Sequence, residues 1–147
     1  MSPATVMNLR DHDLCPVDLW PRLVIELTEH VPIEDYSSVH DSLRRMRERG
    51  TRLAADDLGA GYAGFRHLVA LEPDIIKLDI SLVRSIVQVR GARALAKALV
   101  AFAEDVGATV IAEGVEQQDE LDLLAEIGVP WAQGYHLGRP APAVAGR

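Results

Sequence analysis

Asp56 and Asp57 stand side by side at the end of the apolar stretch Thr51–Ala55, just before Gly59, Ala60 and Gly61. Adjacent carboxylates repel each other, so a fold keeps them together in water or against cations. More acids recur at equivalent places. Glu26 closes Leu23–Ile25, Asp79 closes Ile75–Leu78, and Glu113 closes Thr109–Ala112. Each lies where an apolar run gives way to a loop, and in parallel α/β sheets and barrels those loops build the active site. Side chains alternate along a strand, so Lys77 and Asp79 share a face. Glu26, Asp56, Lys77, Asp79 and Glu113 can therefore converge on one pocket, where a lysine opposite carboxylates keeps its charge and can orient a water. Hard oxygen donors without imidazole or thiolate suit Mg²⁺ or Mn²⁺ better than Zn²⁺. Two such ions would favour attack of a bridged hydroxide on a phosphodiester.

Each residue also has a plainer reading. A lone strand-end glutamate is more often a solvated loop residue, and a Lys-x-Asp pair serves equally well as a structural ion pair. Glu29 and Glu116 suit helix N-termini, where the dipole favours acids. Gly59 and Gly61 fit simple turns. The five histidines are scattered, with no pair at metal-ligand spacing, and His30, His40 and His67 are expected at the surface. Jointly, the acids at successive strand ends outweigh these readings.

The elements that must carry them repeat as helix, glycine, strand. Tyr36, Val39, Leu43 and Met46 form a helical stripe ending at Gly50, before a strand at Thr51–Asp56. Leu95, Leu99, Phe102 and Val106 form another, ending at Gly107 before Thr109–Glu113. Leu121, Leu124 and Ile127 form a third, ending at Gly128 before Ala132–Tyr135. Glycine after a last helical turn is a common left-handed stop. A shorter helix around Gly64–Leu71 leads through Pro73 to Ile75–Asp79, and Leu23–Thr28 supplies an earlier strand. Short strands that are apolar on both faces, alternating with helices, predict an α/β fold with a parallel sheet and right-handed crossovers. A closed (β/α)8 barrel needs eight strands and about 250 residues. The expectation is therefore an incomplete TIM-barrel-like fold with its first strands missing.

Composition narrows the classes. The chain has 147 residues, 48% hydrophobic and 25% charged, which fits one globular domain. The net charge of −7 (15 basic against 22 acidic residues) argues against binding a nucleic-acid polymer and makes metal ions necessary for an anionic substrate. Cys15 is the single cysteine, so no internal disulfide can form and a reducing, cytoplasmic setting is expected. No membrane-length apolar run and no leader pattern follows Met1.

Five ordered stretches resemble a known family. They are Leu23–Glu29 (LVIELTE), Asp56–Tyr62 (DDLGAGY), Ile76–Asp79 (IKLD), Ala112–Glu116 (AEGVE) and Gln133–Tyr135 (QGY). In order and spacing they look like successive motifs of the EAL domain, a family of bacterial cyclic di-GMP phosphodiesterases on a modified TIM barrel. The resemblance runs from about Leu23 to Pro140. It divides the chain into a shortened N-terminal segment (1–22), a partial EAL domain (23–140) and a loose tail (141–147).

The resemblance implies metal ligation by Glu26, Asp56 and Asp57, with Lys77 holding the attacking water and Asp79 beside it. Glu113 would complete the acidic shell, Gln133 would line the pocket, and Glu29 and Glu116 would brace the loop Leu58–Phe65. Val6–Arg10 resembles the family's Asn-Leu-Ser strand, which makes Asn8 a further candidate ligand. The implied partner is cyclic di-GMP. Five strands also leave two apolar edges, and the inner faces of Val24, Ile75 and Ile111 lack an opposite wall, so a bare patch and a homodimer mate or partner chain that completes the sheet are expected. The implied cofactors are two Mg²⁺ or Mn²⁺ ions. The sequence also departs from the family. No Glu-Ala-Leu motif precedes Glu26, Arg10 replaces serine, and Leu58, Ala60 and Ala63-Gly64 replace the usual loop residues. The expected function is hydrolysis of cyclic di-GMP to pGpG, weakened by the missing strand. The alternative is a degenerate module that binds nucleotide or protein without catalysis.

Overall fold

The computed structural model describes residues 17–28, 33–58 and 62–140, with side chains from Leu19 onward except at 57, 58 and 62–64. After a 3-10 turn at Val17–Arg22, the elements run β1 (Val24–Thr28), α1 (Tyr36–Arg47), β2 (Arg52–Leu58), α2 (Tyr62–Leu71), β3 (Ile75–Leu78), α3 (Ile80–Ser85), α4 (Arg90–Val106), β4 (Thr109–Ala112), α5 (Gln118–Ile127) and β5 (Trp131–Ala132). The five strands form one parallel sheet in the order β1-β2-β3-β4-β5.

That order separates two architectures. A doubly wound sheet reverses its strand order at a switch point. Here each strand pairs with its sequence neighbour, so same-handed crossovers advance in one direction and the helices cover one face, as in a (β/α) barrel. The cores agree. Ile76, Leu78, Val110 and Ala112 pack with Leu82, Leu99, Ala103 and Leu124 from α3, α4 and α5 and with Ile86 just after α3. Leu27 and Leu53 pack with Val39, Leu43 and Leu71.

Strand alternation then assigns the other face. Leu27, Leu53, Ala55, Ile76 and Leu78 point to the helices, so Glu26, Ala54, Asp56, Ile75 and Lys77 point away from them. Parity thus places the acids and the lysine on the inner face of the curving sheet. Register is pinned at the opposite end by Asp74. Its carboxylate accepts Leu53 N at 2.8 Å and its carbonyl accepts Thr109 N at 3.0 Å.

The helix stops follow the sequence signals. Gly107 and Gly128 close α4 and α5 in the left-handed region, at φ 74° and 96°. α5 begins with a capping box, in which the Glu120 carboxylate accepts Glu116 N at 2.8 Å and Gln117 N at 3.0 Å. Glu120 is 5% exposed, so these bonds also satisfy a buried charge.

Some expectations change. The last strand is only Trp131–Ala132: Gln133 N still donates to the Ala112 carbonyl at 2.8 Å, but the chain then enters a turn in which the Gly134 carbonyl accepts Leu137 N and Gly138 N. α3 adds a helix between β3 and α4 that the apolar periodicity did not show. His67 is buried rather than at the surface, 5% exposed and hydrogen-bonded through Nδ1 to Tyr36 Oη at 2.9 Å across the α1–α2 contact. Of the inner-face residues Val24, Ile75 and Ile111, expected to leave a bare patch, Val24 is exposed, Ile111 half-buried and Ile75 buried.

Candidate active site

Four consecutive strand ends each contribute one charged side chain to a single centre. Lys77 Nζ on β3 donates to Glu113 Oε1 after β4 at 2.9 Å, to Glu26 Oε1 on β1 at 3.0 Å, and to Asp56 Oδ1 on β2 at 3.2 Å. The Lys77 side chain is 13% exposed, Asp56 16% and Glu113 21%, whereas Glu26 is 50% exposed. The bonds to Asp56 and Glu113 are therefore poorly screened, and the bond to Glu26 faces solvent. Burial pulls the Lys77 pKa down, but hydrogen bonds to Glu113, Glu26 and Asp56 more than offset it. The ammonium ends well above the usual lysine range and stays protonated at any physiological pH.

A β-bulge brings Asp56 into register. Ala54 and Ala55 pair with Ile75 and Ile76, and the next pair is Leu58 with Leu78. Two residues of β2, Asp56 and Asp57, thus oppose the single residue Lys77. Bulges of this kind bend a strand and re-aim its side chains. The acid pair that dominates the sequence sits at this irregularity.

Gln133 locks the far side, donating from Nε2 to Glu113 Oε1 at 2.6 Å. Its backbone is held by the neighbouring loop. Val115 N donates to the Gln133 carbonyl at 3.0 Å, and His136 N to the Val115 carbonyl at 3.0 Å. Gly134 sits inside this clasp, where an added Cβ would lie 2.2 Å from Val115 N and O. No other residue fits so close an approach.

The other candidates fall outside this centre or outside the described residues. Asp79, expected at the pocket, instead caps α3. Its Oδ1 accepts Ser81 N at 2.8 Å and its Oδ2 accepts the Ser81 hydroxyl. An Asx turn at a helix start satisfies both oxygens locally, and the rule of alternation fails where the strand ends at Leu78. Glu116 is ion-paired with Arg84 of α3. Asn8 and Glu29 lie outside the described residues, as does the Asp57 side chain.

Sequence reasoning missed Arg84, Ser81 and the capping role of Glu120. The spacing of Gln117 and Glu120 was a usable signal for the last. It also missed Tyr135 and Arg139, whose guanidinium carbon lies 5.1 Å above the Tyr135 ring. An arginine four residues after an exposed aromatic was the available hint.

Three formal negative charges surround one positive charge here (Glu26, Asp56 and Glu113 against Lys77), leaving a net charge of −2. The oxygen donors have the chemistry for a hard divalent cation. As they stand they converge on the ammonium, and among the described residues no three Asp, Glu, His or Cys side chains are grouped to hold a metal ion.

A parallel, singly wound α/β sheet with charged groups at successive strand ends is the arrangement of a TIM-barrel-like fold. The EAL domain profile matches residues 7–140, and the chain belongs to the EAL domain family. It is 34% identical over 140 residues to the cyclic di-GMP phosphodiesterase PdeR of Escherichia coli, spanning 95% of this chain and 20% of that protein. Among solved structures it is similar to a manganese/cyclic di-GMP complex of Klebsiella pneumoniae BlrP1, with a TM-score of 0.76 and 38% identity over 83% of this chain and 31% of that one. It is also similar to the EAL domain of Mycobacterium smegmatis DcpA, with a TM-score of 0.74 and 32% identity over 80% of this chain and 52% of that one. The chain spans 14–20% of the length of the curated relatives it matches.

Proposed function

We propose that the chain carries the catalytic centre of a cyclic di-GMP phosphodiesterase, hydrolysing the cyclic dinucleotide to linear pGpG. The observation that carries this reading is the convergence of Glu26, Asp56 and Glu113 on Lys77 Nζ. In the reaction water adds to one phosphorus, the P–O3′ bond breaks, and the leaving oxygen takes up a proton.

The chain's own groups divide the work by charge. Lys77, held protonated, donates hydrogen bonds and does not accept a proton. It positions a water or a phosphoryl oxygen and stabilises negative charge as it develops. Glu113, fixed by Gln133, and Asp56 are the acceptors for the proton of water. Glu26, Asp56 and Asp57, with Asn8 and Glu113, are the groups that would hold Mg²⁺ or Mn²⁺. A bound cation would supply Lewis-acid activation and offset the charge between substrate and carboxylates. The manganese complex of BlrP1 supports a divalent ion.

The same reading makes the domain a cytoplasmic one that pairs with a second copy or with a partner chain completing the sheet. Among the described residues no helix is long and apolar enough to cross a membrane, and exposed Phe65, Val69 and Trp131 offer apolar contact surface. The test is incubation of the chain with cyclic di-GMP and Mn²⁺ or Mg²⁺, resolving products by anion-exchange chromatography. Formation of pGpG supports the reading. Binding without product favours the non-catalytic module.

A further inference from the structure

Next to the acidic centre, between the loops that follow β4 and β5, lies an open cavity of about 590 Å³ lined by Gly114, Gln133, Tyr135, Leu137 and Arg139. Gln133 belongs to both places, since its side chain reaches Glu113 while its residue lines the cavity. A dinucleotide with one phosphodiester at Lys77 would extend a base or ribose into this space.

Two features of the lining select what fits. Tyr135 is 60% exposed, and the Arg139 guanidinium carbon lies 5.1 Å above its ring centroid. Arg139 enters no ion pair among the described residues. A guanidinium is planar and carries its N–H donors in its own plane as a rigid fork. In a chain of net charge −7, a positive fork at the rim of an acidic centre matches a flat acceptor pair on a ligand.

Resting on the function proposed above, we propose that Arg139, steadied by Tyr135, reads the Hoogsteen edge of a guanine base and so sets the preference for guanine over adenine dinucleotides. Guanine presents two acceptors there, O6 and N7. Adenine presents N7 beside an amino donor that faces the fork donor to donor. The Tyr135 ring sets the plane of the fork and so the tilt of the base.

The test is calorimetric titration of the full chain, in Ca²⁺, with cyclic di-GMP and with cyclic di-AMP. Arg139 is exposed, so its variants should fold, and circular dichroism checks this. Wild type should prefer cyclic di-GMP by roughly ten- to a hundred-fold, the worth of one bidentate base contact. Arg139→Ala and Arg139→Lys should both lose that preference, because lysine keeps the charge but not the fork. Tyr135→Phe should retain it and Tyr135→Ala should reduce it. A preference unchanged in Arg139→Ala or fully kept in Arg139→Lys overturns the proposal and leaves the phosphodiesterase reading intact. An equal loss for both dinucleotides would make Arg139 a phosphate contact and also overturns it. A wild-type chain that binds neither ligand removes the proposal and the proposed function together.

Discussion

Glu113 Oε1 accepts two donors at once, Lys77 Nζ at 2.9 Å and Gln133 Nε2 at 2.6 Å. The amide and the ammonium share one carboxylate oxygen, so the position of Glu113 depends on the segment after β5 as well as on β3. Replacing Gln133 by leucine keeps the bulk and removes the donor. Turnover of cyclic di-GMP should fall about 10- to 100-fold, the usual loss when a group orienting a catalytic ligand is removed. Unchanged kinetics in Gln133→Leu would show that Glu113 needs no such support.

Lys77 occupies the position where three carboxylates meet, so it competes with any metal ion drawn to them. Lys77→Met should therefore bind Mn²⁺ more tightly, by at least about ten-fold, since a like charge is removed from a weakly screened site. Calorimetric titration of both proteins measures this. Equal or weaker binding in the variant would mean that the lysine lies outside the metal's field.

Much of this was legible in the sequence because its signals are local. Glycine stops, helical stripes and apolar runs gave five strands and the helices α1, α2, α4 and α5, and alternation placed Glu26, Asp56 and Lys77 on one face. Asp79 was misread because alternation ends where the strand does, and Ser81 offers its carboxylate nearer donors. The bulge at Asp56–Asp57 depends on pairing with β3 and leaves no local mark. His67 lies four residues before buried Leu71 on the inner face of α2, but its partner Tyr36 lies 31 positions away in sequence and no local pattern announces that pairing.

The pH dependence of stability follows from the sign of the Lys77 shift. Its folded-state pKa is raised by Glu113, Glu26 and Asp56 against the opposing effect of burial. A raised pKa contributes stability that is fully present below the unfolded value, about 10.4, and is lost as pH rises through the folded value. The stability difference between wild type and Lys77→Met, from urea denaturation, should therefore be flat in Lys77 ionisation between about pH 6 and 9. It should shrink only above about pH 10. A decline already at neutral pH would show that the ion pairs are not formed.

The buried Glu120 carboxylate accepts two backbone N–H groups at the start of α5. Glu120→Ala leaves both donors without that partner and should cost about 1–2 kcal/mol. Thermal denaturation would register this as a lower midpoint. A variant as stable as wild type would mean that water satisfies both donors.

The most direct test of the central claim is the steady-state kinetics of Lys77→Ala on cyclic di-GMP, paired with its binding measured in Ca²⁺. In the proposed reaction Lys77 would donate to the charge that develops, so kcat should fall by about 10²- to 10³-fold while the dinucleotide still binds. A Lys77→Ala protein that turns over as fast as wild type would contradict the account.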